Sequence, residues 1–215
     1  MEILYLQYLL GVAFLSIVFL HITKKNIEAV TAYGIQSLMM TIILLNSYFE
    51  TNNIYLLFIV LLSFVIKVVL APLFFLNLIK KHKLTFTVSS YLNMPVTLIC
   101  IAVITGIAHS NKFLPLTTII PSHQNLLALA LSSILLSFFL IVNRKGALSQ
   151  VIGILSFENS IIAFTIFAGL EQSIALQMGI IFDIFVWVII STVFISMIYK
   201  HFKSLDVTTM IHLRD

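Results

Sequence analysis

Seven long apolar stretches, separated by short polar segments, run along this chain of 215 residues. The stretches are residues 3–22, 27–49, 54–79, 86–107, 124–142, 147–169 and 173–200. A helix needs about 20 apolar residues to cross the hydrocarbon core of a bilayer, and each stretch is close to that length. The pattern therefore predicts an all-α membrane protein with seven transmembrane helices.

The composition also indicates a protein that lies in a lipid bilayer. Apolar residues make up 60% of the chain and charged residues 9%, with a mean hydropathy of +1.13. A soluble domain contains roughly half apolar and a quarter charged residues. So much apolar surface cannot be buried in one soluble core, which excludes a soluble enzyme, a nucleic-acid-binding protein and a disordered chain. The single cysteine, Cys100, excludes an internal disulfide.

The basic residues between the stretches predict the orientation. Ten of the twelve Lys and Arg residues flank the same side: Lys24, Lys25, Lys80, Lys81, Lys83, Arg144, Lys145, Lys200, Lys203 and Arg214. Lys112 lies on the other side and Lys67 lies within a stretch. The positive-inside rule then places the amino terminus outside and the carboxyl terminus in the cytoplasm. We expect a multi-pass protein of the inner (cytoplasmic) membrane, whose basic pI of about 9.2 reflects topology.

A faint internal repeat relates the two halves of the chain. A shift of 119 residues aligns Lys25 with Arg144, and Gly34-Ile35-Gln36-Ser37 with Gly153-Ile154-Leu155-Ser156. The alignment predicts a parallel 3+1+3 arrangement within a single membrane domain. Its parts are a first three-helix unit (1–79), a connecting helix (86–107), a second three-helix unit (124–200) and a cytoplasmic tail (201–215).

Three ionisable residues lie deep within the stretches: Lys67 in the third, Glu158 in the sixth and Asp183 in the seventh. Each costs about 2.5–3.5 kcal/mol at the centre of a membrane helix. The sixth and seventh stretches turn near residues 169–173, so Glu158 and Asp183 are expected at one level. By the same count, Gln36 is level with Lys67. The sequence thus predicts one central polar layer.

This layer is suited to proton transfer. Two carboxylates close together in a low dielectric cannot both ionise cheaply, and a nearby Lys67 favours the ionised form of one. We therefore interpret Glu158, Asp183 and Lys67 as a proton relay. The alternative is a static buried ion pair that fixes helix register. Three deep charges exceed what one structural pair requires, and this favours the relay.

Other polar residues and prolines offer weaker signals. The polar neighbours expected to orient the Glu158 carboxyl, or to bond between helices, are Ser156, Asn159 and Ser160. Pro72 and Pro95 are predicted to kink their helices, and carbonyls freed near Asn93 would hold water. Ordinary bending of membrane helices explains these prolines equally well. The sequence contains no phosphate loop, paired-Cys motif or facing His pair, so we expect no metal, no cofactor and no nucleic-acid partner.

Several segments resemble the membrane component E of hydrogenase-4 and formate hydrogenlyase-type complexes. The matching segments are Ile66-Lys67-Val68-Val69-Leu70-Ala71-Pro72-Leu73, Gln150-Val-Ile-Gly153, Phe157-Glu158-Asn159-Ser160, Gly179-Ile-Ile-Phe-Asp183-Ile-Phe and Leu205-Asp206-Val207-Thr208. The length agrees over essentially the whole chain. The last three stretches are also similar to the K subunit of respiratory complex I and the C subunit of multi-subunit cation/proton antiporters. In the K subunit the first carboxylate follows the glycine by two residues, whereas Glu158 follows Gly153 by five.

The resemblance implies a non-catalytic subunit that lies between redox-module and antiporter-like subunits. Glu158 and Asp183 would carry protons, Lys67 would tune them, and any redox centre would belong to the partners. Two other classes stay open from the residues: a stand-alone secondary transporter of an ion or solute, and a purely structural membrane subunit.

Overall fold

The computed structural model describes residues 2–86, 89–118 and 120–169 and, nearer the carboxyl terminus, residues 182, 185, 188–189, 192–200, 202 and 205–206. Within this described part the regular elements are all helical. They are α1 (Glu2–Ile22), α2 (Asn26–Thr51), α3 (Ile54–Ser63), a π-helical segment (Phe64–Leu70), α4 (Ala71–His82), α5 (Met94–Ala108), a 3₁₀ turn (Asn111–Phe113), a short α6 (Leu114–Thr117), a second 3₁₀ turn (Pro121–His123), α7 (Gln124–Asn143) and α8 (Ala147–Phe167).

Five helical segments of the described chain are long and apolar enough to cross a membrane. They are Leu4–Ile22, Asn26–Thr51, Ile54–His82, Gln124–Asn143 and Ala147–Phe167. The prediction of an all-helical, membrane-embedded chain is confirmed at this level. Residues 192–200 are helical and belong to the predicted seventh span. Most of that span lies outside the described residues, so the count of seven and the orientation stay predictions.

The predicted fourth span is wrong in its extent. Helix α5 begins at Met94, because the Asn93 side chain accepts a hydrogen bond from the Val96 N–H and caps the helix. Pro95 lies in the first turn, where its missing N–H costs nothing, so it does not kink a longer helix. The apolar residues before Asn93 extended the hydropathy pattern, but those that the structure describes lie in an irregular segment.

Two helical hairpins form the centre of the bundle. Helix α1 packs on α2 and α7 packs on α8, and the hairpins meet through α1 against α7 and α2 against α8. Large buried side chains from α2, α4, α7 and α8 share one cluster, including Tyr33, Phe75, Leu140 and Leu155. Many large apolar side chains on the outer faces are exposed, as expected for helices that lie against lipid.

Hydrogen bonds to backbone carbonyls join the connections at one end of the bundle. We call residues 23–26, 83–86, 89–93 and 143–147 the basic end. The Asn26 side-chain amide donates to the carbonyls of Leu84 and Phe86, both at 2.9 Å. The Tyr91 N–H donates to the Asn143 carbonyl at 2.9 Å. The segment between α4 and α5 therefore ties the two hairpins together.

Close packing between α7 and α8 makes a stability prediction. A Cβ at Gly153 would lie 2.9 Å from Ile141 Cγ1 and 3.4 Å from the Ile141 backbone nitrogen. We expect Gly153→Ala to destabilise the protein by about 1–3 kcal/mol through overpacking, measured as thermal unfolding in detergent. Gly106→Ala is the control, since no atom of the described residues lies within 4 Å of its Cβ position. Equal stability of the two variants would contradict the packing.

Candidate functional site

Lys67 lies in the π-helical segment, where the helix is wider than an α-helix. The Ala71 N–H bonds to the carbonyl of Ile66, five residues earlier, and Pro72 follows in the first turn of α4. The structure thus places the predicted kink residue Pro72 directly after a helical irregularity. Wide turns of this kind occur frequently at functional sites. The Lys67 side chain is only 2% exposed.

The Lys67 ammonium is held by two neighbouring residues of α8. Its Nζ donates to Glu158 Oε1 at 3.1 Å and to Asn159 Oδ1 at 3.0 Å. The Glu158 side chain is 23% exposed, so it is less deeply buried than its partner. The structure thus brings together two of the three predicted relay residues, which are 91 positions apart in the chain.

The same face of α8 is bonded to α2. The Asn159 amide donates to Ser37 Oγ at 3.0 Å, so Asn159 links the lysine to α2. The Gln36 amide donates to the Ser156 carbonyl at 3.2 Å. Predicted residues Gln36, Ser156 and Asn159 therefore share one polar seam between these two helices.

Helix α7 joins the seam through a pair of serines. Ser160 Oγ donates to the Ser156 carbonyl at 2.8 Å, and it lies 3.3 Å from Ser137 Oγ. These side chains are all buried. Small hydroxyl residues let helices approach closely while they satisfy each other's polar groups.

Three buried polar atoms of the seam have no hydrogen-bond partner among the described residues. They are Tyr33 Oη, Gln36 Oε1 and Ser156 Oγ. A buried polar atom left unpaired costs about 1–3 kcal/mol. Water, or a group outside the described residues, would satisfy these atoms.

Asn93 lies away from the seam, and the position of Asp183 is not described. Asn93 caps α5 at the basic end, and it takes no part in the described Lys67 network. Asp183 lies outside the described residues. Sequence reasoning missed Tyr33, Ser37 and Ser137. The spacing of Tyr33, Ser37 and Thr41 on one face of α2 is the signal that would have found the first two.

The seam is suited to protons more than to metals. Among the described residues no group of three His, Cys, Asp or Glu lies close enough to hold a metal ion. Around Lys67 the described side chains offer one amine, one carboxylate, amides and hydroxyls. All of these groups donate or accept hydrogen bonds, and the amine and the carboxylate can also exchange a proton.

Comparisons with protein-family models, with curated protein sequences and with solved structures found no match to this chain. The chemistry of the site therefore has to follow from its own geometry.

The ion pair makes an energetic prediction. Lys67→Met and Glu158→Gln should each destabilise the protein, and Glu158→Gln more, by up to about 3–5 kcal/mol, because it leaves the buried Lys67 ammonium without its carboxylate. The double variant should be more stable than the two single effects predict, by about 1–3 kcal/mol. Thermal unfolding of the four proteins in detergent measures this coupling.

The matched control for this cycle is the exposed pair of Lys25 and Glu28, whose Nζ–Oε1 distance is also 3.1 Å. Water screens that pair, so Lys25→Met and Glu28→Gln should show little coupling. If the coupling between Lys67 and Glu158 is no larger than in this surface pair, the two side chains do not form a strong ion pair.

Proposed function

We propose that this chain is a non-catalytic membrane subunit of a complex-I-like respiratory or hydrogenase-4-type complex, in which it relays protons. The observation that carries the proposal is the ion pair of the buried Lys67 with Glu158. A lysine inside a membrane bundle is costly, and such residues mark ion or proton pathways in membrane proteins. The partners would be the redox-module and antiporter-like subunits of the complex.

The geometry offers a way for the pair to exchange a proton without losing its structure. When Glu158 takes up a proton from its exposed side, the attraction that holds Lys67 weakens. The ammonium keeps its second acceptor, Asn159 Oδ1 at 3.0 Å, and Asn159 is itself bonded to Ser37. Lys67 then acts as a counter-charge whose position depends on the protonation of Glu158.

Asp183 is the second carboxylate of the proposed relay. Described residues later in the predicted seventh span support this assignment. Val188 and Ile195 are buried in the same apolar cluster as α2, α4 and α8, and Ser196 Oγ lies 2.9 Å from His82 Nε2. A helix that packs there would run beside the elements that carry Lys67 and Glu158.

The proposed parallel repeat has a counterpart in the backbone bonds of the basic end. In the first half, the Asn26 N–H donates to the Thr85 carbonyl at 3.2 Å. In the second half, the Ala147 N–H donates to the Leu205 carbonyl at 3.1 Å. Both donors lie in the first turn of a second helix, and both acceptors follow a third. This correspondence supports two related three-helix units around a connecting helix.

The proposal makes a prediction for proton pumping. In the native complex, purified by a tag on this chain and reconstituted into vesicles, Glu158→Gln and Lys67→Met should reduce proton translocation to below about a tenth of wild type. A pH-sensitive dye inside the vesicles measures the rate. Glu50→Gln, which changes an exposed acid at the end of α2, should leave pumping intact.

Mass spectrometry of the purified complex separates this loss from failed assembly. Full pumping by an assembled Glu158→Gln complex would contradict the proton relay and favour a purely structural subunit. Substrate-specific flux by the chain reconstituted alone would favour the stand-alone transporter.

A further inference from the structure

Arg144 is buried at the basic end, and the described residues supply it with no neutralising carboxylate. The residue is 5% exposed, and its Nη2 donates to the carbonyls of Leu20, His21 and Thr23 at 2.6, 3.0 and 3.0 Å. These carbonyls end α1, where a cation is favourable. Within the described part of the chain, Nε and Nη1 have no acceptor and no carboxylate lies within ion-pair distance.

Carbonyl groups stabilise a guanidinium but do not neutralise its charge. Burial lowers the pKa of Arg144 because the charged form is desolvated. An anion beside the guanidinium would offset that cost, and two further N–H-bearing nitrogens remain to bind it.

A cavity of about 530 Å³ leads from the surface to this arginine. Buried side chains of His21, Thr97 and Arg144 line its inner part, while the exposed residues Lys24 and Ser89 line its rim. The size is within the usual range for small-ligand pockets. His21 Nδ1 is a further buried polar atom of the cavity wall that has no partner among the described residues.

The charged side chains that line the cavity are all basic. Lys24 and Arg144 line it, and none of the described acidic residues does. Lys145 lies beside the rim, with its ammonium 4.9 Å from the centre of the Tyr91 ring. Glu28, four residues from Lys24, is bonded to Lys25 and Thr23, and Asp206, whose backbone pairs with Gly146, does not line the cavity. The charge of the lining therefore favours an anion.

We propose that this cavity binds the phosphate of an anionic phospholipid headgroup, with Arg144 at its floor and Lys24 at its rim. The cavity lies where α1 and α7 end, at the boundary of two candidate membrane spans. Phe86 and Tyr91, both of which line it, are 68% and 58% exposed. Exposed aromatic residues at this depth are typical of the headgroup region, and basic pockets there bind anionic lipids.

The test is lipid binding to the purified, delipidated full chain, measured by native mass spectrometry. Phosphatidylglycerol and phosphatidylcholine with identical acyl chains are titrated in parallel. We expect phosphatidylglycerol to bind about tenfold more tightly, and Lys24→Gln to reduce that preference about fivefold. Ser89→Trp, which fills the mouth of the cavity, should abolish the preference. Lys80→Gln removes an exposed charge that does not line the cavity, and should change nothing.

Three outcomes would overturn the proposal. Equal binding of the two lipids would show that the cavity does not recognise the net negative charge of a headgroup. An equal effect of Lys24→Gln and Lys80→Gln would show that only diffuse surface charge attracts the lipid. Binding of inorganic phosphate that depends on Lys24 and displaces phosphatidylglycerol would assign the cavity to a free anion. Arg144 itself is left unchanged because it caps α1, and its substitution would disturb the fold as well as the cavity.

Discussion

A charged lysine is stable inside an apolar helical bundle only where neighbouring groups compensate its positive charge. Lys67 meets this condition through one carboxylate and one amide oxygen, both on α8. The neighbouring residues at the centre of the bundle hold Lys67 and its two acceptors in position. The π-helical segment positions Lys67, Asn159 is oriented by Ser37, and small serines bring the neighbouring helices close together. Without the ion pair, the buried polar groups of the seam would lower the stability of the bundle.

Two buried cations of the described bundle are stabilised in different ways. Lys67 relies on a carboxylate whose charge changes when it binds a proton, so its environment can switch. Arg144 relies on three backbone carbonyls, which cannot titrate and hold the guanidinium in place. The first arrangement suits a moving charge, and the second suits a permanent anchor. The difference follows from position, because helix ends offer free carbonyls to a cation and the centre of a helix does not.

Sequence reasoning succeeded where a physical penalty made a residue conspicuous. Lys67 and Glu158 are expensive in a bilayer, and the structure pairs them. It failed where local hydrogen bonds compete with hydropathy, because the cap at Asn93 starts α5 later than the apolar pattern predicts. It also missed Tyr33 and Ser37, since a hydroxyl on a membrane helix is inexpensive and the partner of Ser37, Asn159, is 122 positions away in the chain. Such pairings depend on helix packing, which a single sequence does not determine.

The π-helical segment also sets the rotation between α3 and α4. Buried positions recur at Ile59, Ser63, Lys67, Ala71 and Phe75, an interval of four residues each time. A regular α-helix repeats every 3.6 residues, so over these turns its inward stripe would drift by more than one position. The wide turn absorbs this drift and keeps one side of the span turned inward from Ile59 to Ile79. Loss of one residue within that turn would let it close to ordinary α-helical geometry with Phe75 still facing inward, whereas loss of one residue from the regular turns of α4 would rotate everything after it by about 100°.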